Sequence, residues 1–229
     1  PENIQHKVSD TIQKALQLAV KANLKTLRPE KRSLPSSNLT YKLATGISGA
    51  TSGFFGVAGF TADLLFSTKF MMRSIMDIAR SQGEDIHNIE TQLACLQVFA
   101  LGGTSEYDDE LATSYYATRA ALHTTMNQAS AYIAENGTKK IIETITSQTA
   151  APIARLINQV AARFSVQVGE KFAAQAIPVI GAVGGASINV LFISHFQKMA
   201  TAHFTLIRLE RKYSKDLIQE TYEHLQLQQ

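Results

Sequence analysis

Two long stretches of this chain carry no Asp, Glu, Lys or Arg: LATGISGATSGFFGVAGFTA at residues 43–62 and FAAQAIPVIGAVGGASINVLFISHFQ at residues 172–197. Each matches or exceeds the roughly 20 residues that a bilayer core requires, yet neither is uniformly apolar. In the first, Gly46, Gly49, Gly53, Gly56 and Gly59 recur at three- and four-residue spacing, while Thr45, Ser48, Thr51 and Ser52 dilute the hydrophobicity. Glycines so spaced form a flat stripe on a helix, where a second backbone can approach closely. Each also lowers helix propensity by about 1 kcal/mol, which argues against a stable lipid-facing span. The first stretch therefore predicts a buried, tightly packed hairpin, and both stretches predict interior scaffolding rather than wet linkers.

The remaining chain repeats at 3.6 residues rather than 2. Ile4, Val8, Ile12, Leu16, Val20, Leu24 and Leu27 trace one face of a long first helix, with Lys7, Lys14, Lys21, Lys25 and Arg28 opposite. Pro29, Pro35 and the Ser36-Ser37-Asn38 run end it. The chain thus divides into a basic amphipathic helix over 1–34 and a helical domain over 38–229. A second helix is expected over 63–80, with Leu64, Leu65, Met72, Ile75, Met76 and Ala79 inward and Gly83 as its closing residue. Asn88 caps TQLACLQVFAL, and Ser105 caps a helix with Glu106, Asp108, Asp109 and Glu110 in its first turn, running to Asn136-Gly137. Pro152 must kink or split the pattern over 139–164. Pro178, Gly181, Gly184 and Gly185 break the second uncharged stretch early, leaving a long helix to Tyr213 and a last one over 215–227. The expectation is an all-α fold, a single multi-helix bundle of about eight helices with two glycine-rich buried apolar segments.

Composition narrows the function classes. Hydrophobic residues make up 45% and charged residues 18%, which excludes a disordered chain and allows a large core. One cysteine, Cys95, excludes a disulfide framework and a cysteine-cluster metal site. A net charge of +3, from 22 basic and 19 acidic residues, is too small for bulk attraction to nucleic acid, so no nucleic-acid partner is expected. Residues 1–30 lack the apolar core of a secretory leader, and the opening Pro1 reads as a fragment or a trimmed form.

The common catalytic motifs are missing: the chain has no GxSxG, no HExxH, no phosphate-loop lysine and no EF-hand loop. Chemistry would have to come from polar residues set in apolar stripes, which are costly to bury unless paired. Asn189, His195, His203 and Glu210 fall on one stripe of the long late helix with Phe192, Phe196, Met199 and Leu206. Asp63, Arg73, Asp77, Arg80 and Glu84 share a face of the 63–80 segment and its end, where Phe66 and Phe70 point the same way. His195 and His203 lie eight residues apart, about 12 Å along a helix, too far to chelate one ion alone. No cofactor is expected. Asp77, His195 and His203 are weak metal candidates that would need both helices to meet, as in helical bundles.

Gly53-Phe-Phe-Gly-Val-Ala-Gly59, Ala62-Asp63-Leu64, Arg73-Ser-Ile-Met-Asp77-Ile-Ala-Arg80 and Gly83-Glu-Asp85 resemble the EcsC family. Cys95-Leu96, Phe99-Ala-Leu-Gly-Gly103, Pro178-Val-Ile-Gly-Ala-Val-Gly-Gly185, Asn189, Phe192, His195-Phe196 and Leu209-Glu-Arg-Lys-Tyr213 extend the resemblance from about Leu43 to Tyr213. Ser214 stands where the family usually has glycine. The resemblance implies a bacterial protein, an origin beside an ABC transporter and frequent membrane association, with no established reaction to transfer.

The favoured expectation is a non-enzymatic module, cytoplasmic and peripheral to the inner membrane, binding lipid, an apolar ligand or an ABC-transporter-type partner. Lys7, Lys14, Lys21, Lys25 and Arg28 would form its membrane or partner surface, and the glycine-rich helices would allow oligomers. One alternative is a hydrolase or metal-dependent enzyme, with its site between the 63–84 and 189–210 helices. Another is a component of a secreted bacterial effector.

Overall fold

A computed structural model describes residues 2–26, 36–52, 56–101, 111–144, 151–175 and 181–226, with side chains over 9–22, 36–45, 62–101, 115–137, 151–169 and 187–225. Eight helices account for nearly all of them: α1 (Glu2–Thr26), α2 (Asn38–Ser52), α3 (Gly56–Ser81), α4 (Ile89–Leu101), α5 (Leu111–Thr144), α6 (Ala151–Gln175), α7 (Gly181–Tyr213) and α8 (Lys215–Gln226). The bundle is all-α, as the periodicity predicts.

A helix that is apolar all round belongs in the middle of a protein. Every residue of α4 from Leu93 to Leu101 is buried, and the helix packs against α3, α5, α6 and α7. Phe99 meets the ring of Phe164 edge-on at 5.0 Å and lies 5.5 Å from Phe196, which also packs against Phe192. Ile12, Leu16 and Ala19 of α1 join the same core as Ile75, Ile78, Leu156 and Val160. The first helix is therefore built into the bundle, against α3 and α6, by its apolar face.

Local chemistry sets several helix ends. Gly83 has φ +93°; its N–H donates to Arg80 O, and the Glu84 N–H donates to Ala79 O. These are the paired bonds of a glycine-closed helix end. Asn88 caps α4, accepting the Glu90 N–H on Oδ1 at 2.8 Å. The expected stop at Asn136-Gly137 is met: Gly137 (φ 75°, ψ 151°) leaves helical geometry there, and the helical backbone that resumes after it, counted here within α5, runs to Thr144. Pro152 stands in the first turn of α6, where its missing N–H costs nothing.

Two expectations need correction. The helix expected at 63–80 begins at Gly56. The uncharged stretches are not wholly interior, since Leu43 and Leu191 are among the most exposed large apolar residues. The acidic turn at 106–110 and the loop at 29–35 lie outside the described residues, as do the side chains of Gly46 to Gly59 and of Gly181, Gly184 and Gly185.

Ser214 joins α7 to α8 with φ +119°. Its N–H donates to Glu210 O, and its Oγ accepts the Leu217 N–H at 3.4 Å. The left-handed backbone costs a non-glycine residue about 1 kcal/mol or more, whereas glycine at an N-cap loses only a few tenths relative to serine. Ser214→Gly is therefore expected to raise stability by about 0.5–1 kcal/mol, read as a later denaturation midpoint. A clearly earlier midpoint would show that the serine cap outweighs the strain.

Candidate functional site

The inward stripe of α7 carries a polar group roughly every two turns, and each bonds a neighbouring helix. At the upper level Asn189, almost fully buried, donates from Nδ2 to Asp63 Oδ1 (2.7 Å) and to Thr45 O (2.8 Å). One amide thus joins α2, α3 and α7, and Asp63 and Thr45 are themselves buried. Eight residues on, Gln197 Nε2 donates to Ser74 Oγ (2.9 Å) and Asn38 O (3.0 Å), repeating the same three-helix tie. The two sets of bonds fix the register. α2 runs antiparallel to α7 with 45 opposite 189 and 38 opposite 197, while α3 runs parallel to α7.

Asp77 sits at the start of α2, where its Oδ2 accepts the Ser37 N–H at 2.6 Å. Its other oxygen accepts two bonds from the buried Arg80 guanidinium, at 2.6 and 3.0 Å. A carboxylate at the positive end of a helix dipole, held by a neighbouring guanidinium, explains this pair structurally. Glu84, also buried, is clasped by Arg211 through two bonds of 2.9 and 3.0 Å, tying the end of α3 to the end of α7.

The lower cluster joins α5, α7 and α8. Arg119 bonds Glu210 in bidentate fashion, with Nη2 donating to Oε2 at 2.8 Å, and its guanidinium lies over the rings of Tyr115 (5.4 Å) and Tyr116 (5.6 Å). Tyr222 of α8 packs against both tyrosines, at 5.9 and 5.6 Å between ring centres. His203 is fully buried, with Nδ1 3.0 Å from the Tyr115 hydroxyl. Tyr115 Oη accepts a bond from Arg119 at 3.4 Å and shares another with His203 Nδ1. His203 Nε2 has no partner among the described residues. Burial, assisted by the Arg119 charge, lowers the His203 pKa to about 3, so the ring is neutral. Burial, with Glu210 adding to it, pushes the Tyr116 hydroxyl up to about 12.

Of the residues singled out by sequence, Asp63 and Asn189 meet directly, and so do Asp77 and Arg80. His203 and Glu210 join one cluster through Tyr115 and Arg119. The stripe does not gather His203 and Asp77, which serve separate contacts. Arg73 and His195 are half-buried, and the His195 ring stands edge-on to Phe196 at 5.3 Å. Among the described residues no three His, Cys, Asp or Glu stand together to hold a metal ion. Lys14 is exposed and Lys21 half-buried on α1, while the side chains of Lys7, Lys25 and Arg28 lie outside the described residues.

Thr45, Ser74, Tyr115, Arg119, Gln197 and Tyr222 escape a reading by motif. Arg119 lies four residues from Tyr115, a spacing that puts them on one helix face. Nothing in the linear order joins it to Glu210, 91 positions away.

The model that describes the EcsC protein family matches residues 1–209. The match takes in the N-terminal helix and stops before α8. No curated protein and no solved structure matches the chain.

Proposed function

The chain belongs to the EcsC protein family, and from that premise we propose that it is a non-enzymatic helical module that associates peripherally with an anionic membrane surface. The observation that carries this reading is the distribution of charge on the helices that hold the two uncharged stretches. On α2 the charged residue is Lys42, on α3 they are Asp63, Lys69, Arg73, Asp77 and Arg80, and on α7 they are Lys198, Arg208, Glu210, Arg211 and Lys212. Of the acids, Asp63 is buried against Asn189, Asp77 is paired with Arg80 and Glu210 with Arg119, whereas Lys69, Lys198 and Arg208 are exposed. A surface that offers cations without acids suits anionic headgroups, where each lysine contributes about 1 kcal/mol. None of the described helices is long and apolar enough to cross a membrane, so the association is with its surface.

Sedimentation with vesicles tests the reading. The protein should pellet with phosphatidylglycerol-containing vesicles at low salt, stay in solution with phosphatidylcholine alone, and be released as salt screens the headgroups. Replacing Lys42, Lys69 and Lys198 together with Glu should weaken partitioning by about a hundredfold or more, from about 3 kcal/mol of lost attraction. A detergent-free monomer that ignores anionic vesicles at low salt would refute the reading.

A further inference from the structure

The sequence offers the glycine-rich helices as the route to oligomers, yet the residue that breaks the α7–α8 run opens another. We propose that α8 is an exchangeable element: with Ser214 straightened, α7 and α8 form one continuous helix, and Tyr222 seats on the Tyr115–Tyr116 platform of a second copy of this chain. Such exchange needs no membrane.

One residue separates the two helices, since α7 ends at Tyr213 and α8 begins at Lys215. The bonds on either side of the break are already those of a helix. Ser214 N–H donates to Glu210 O at 3.1 Å, and Ile218 N–H donates to Ser214 O at 3.3 Å. What interrupts the run is the backbone of Ser214 itself, at φ +119°, a left-handed conformation in a residue that carries a Cβ. Rotating it to a helical φ removes that strain. It also gives the N–H groups of 215, 216 and 217 the carbonyls of 211, 212 and 213 as helical partners, in place of the long 3.4 Å bond from Leu217 N–H to Ser214 Oγ.

Straightening carries α8 off its own chain. In the bent form, of residues 215–225 only Ile218, Gln219 and Tyr222 are half-buried, and the rest are exposed. The anchor is the Tyr222 ring, 5.9 Å from that of Tyr115 and 5.6 Å from that of Tyr116. Those two tyrosines and Leu101 form a small core of their own, which Tyr222 covers. A straight chain therefore bares one strap and one seat, and leaving both in water forfeits that apolar contact. The occupant fitted to the seat is an α8, and the partner that brings one while needing one is a second copy. Reciprocal exchange about a twofold axis fills both seats and closes the assembly at two chains. Strain in a short hinge is the feature that invites such exchange. Tyr213 and Leu217, 52% and 51% exposed on either side of the hinge, lie four residues apart and so share one face of the straight helix, which the partner's helix can cover.

Sedimentation equilibrium over a concentration series reads the exchange through the hinge. Ser214→Gly keeps the bend without the strain and should weaken dimerisation about tenfold. Ser214→Ala removes the Oγ cap, keeps the strain and favours the straight helix, so it should strengthen dimerisation about tenfold or more. Complementation identifies the surface. Tyr222→Ala has a sound seat and a defective strap, Tyr116→Ala has the reverse, and each is checked for an unchanged helical spectrum. Neither should dimerise alone, whereas an equimolar mixture should form a heterodimer with one native junction. A dimer held by any other face would persist in Tyr222→Ala, and that result overturns the proposal. So does a mixture of two folded variants that stays monomeric, or a Ser214→Ala protein no more dimeric than Ser214→Gly. Should Tyr116→Ala lose helicity, the two Ser214 variants and Tyr222→Ala decide without it.

Discussion

Asn189→Asp is expected to destabilise the protein by about 4 kcal/mol, although it changes neither the size nor the shape of the side chain. Asn189 is the donor that satisfies Asp63 Oδ1 at 2.7 Å and Thr45 O at 2.8 Å, in a site closed to water. The substitution removes both donors and sets a second carboxyl against the first, so the two resist ionising together. No cavity is made, so the loss measures the polar tie and not packing. Equilibrium urea unfolding near neutral pH gives the number, and lowering the pH should recover part of it as the pair takes up a proton. Adding Asp63→Asn restores a donor to the pair but leaves Thr45 O without one, so the double variant should recover about half the loss. A single variant as stable as the parent would mean that Asp63 and Asn189 do not hold the three helices together.

The second large effect is acid sensitivity at His203. Its folded pKa is about 3 and it is fully buried, whereas an unfolded histidine titrates near 6.5. Below 6.5 the unfolded chain binds a proton that the folded protein refuses, so stability rises with pH through this window. The contribution is fully present above pH 6.5 and is lost progressively as pH falls toward 3, reaching about 4 kcal/mol at the low end. His203→Leu should be less stable at neutral pH, because the buried Tyr115 hydroxyl loses its hydrogen-bond partner, yet should show a shallower decline between pH 6.5 and 4. Carboxylates titrating in the same range are common to both proteins and drop out of the difference. Parallel pH curves for parent and variant would show that His203 is not the group being excluded from protonation.

Both effects involve residues that stand out in the sequence, but for contacts that the sequence does not reveal. Asn189 and His203 are visible as polar interruptions of an apolar stripe, and that stripe is the buried face of α7. Their partners are not visible. The sheltering of His203 depends on Tyr115, Arg119 and Tyr222, which arrive from α5 and α8. The five basic residues of the first helix draw the eye as a binding surface, yet that helix is anchored in the core by its apolar face.

Periodicity by itself determined that the chain is helical, roughly where the helices run and which face of α1 and α7 is inward. These are properties of residues a few positions apart, whose relation is set by 3.6 residues per turn. Gly83 and Asn88 announced their helix ends for the same local reason. Only the tertiary structure decided that the glycine-rich stretch is helical from Gly56, that Leu43 and Leu191 face outward at one height, and that Arg119 reaches Glu210. Those outcomes depend on the register between packed helices, set by a few long-range hydrogen bonds and the fit of whole surfaces, and no short window of sequence contains it.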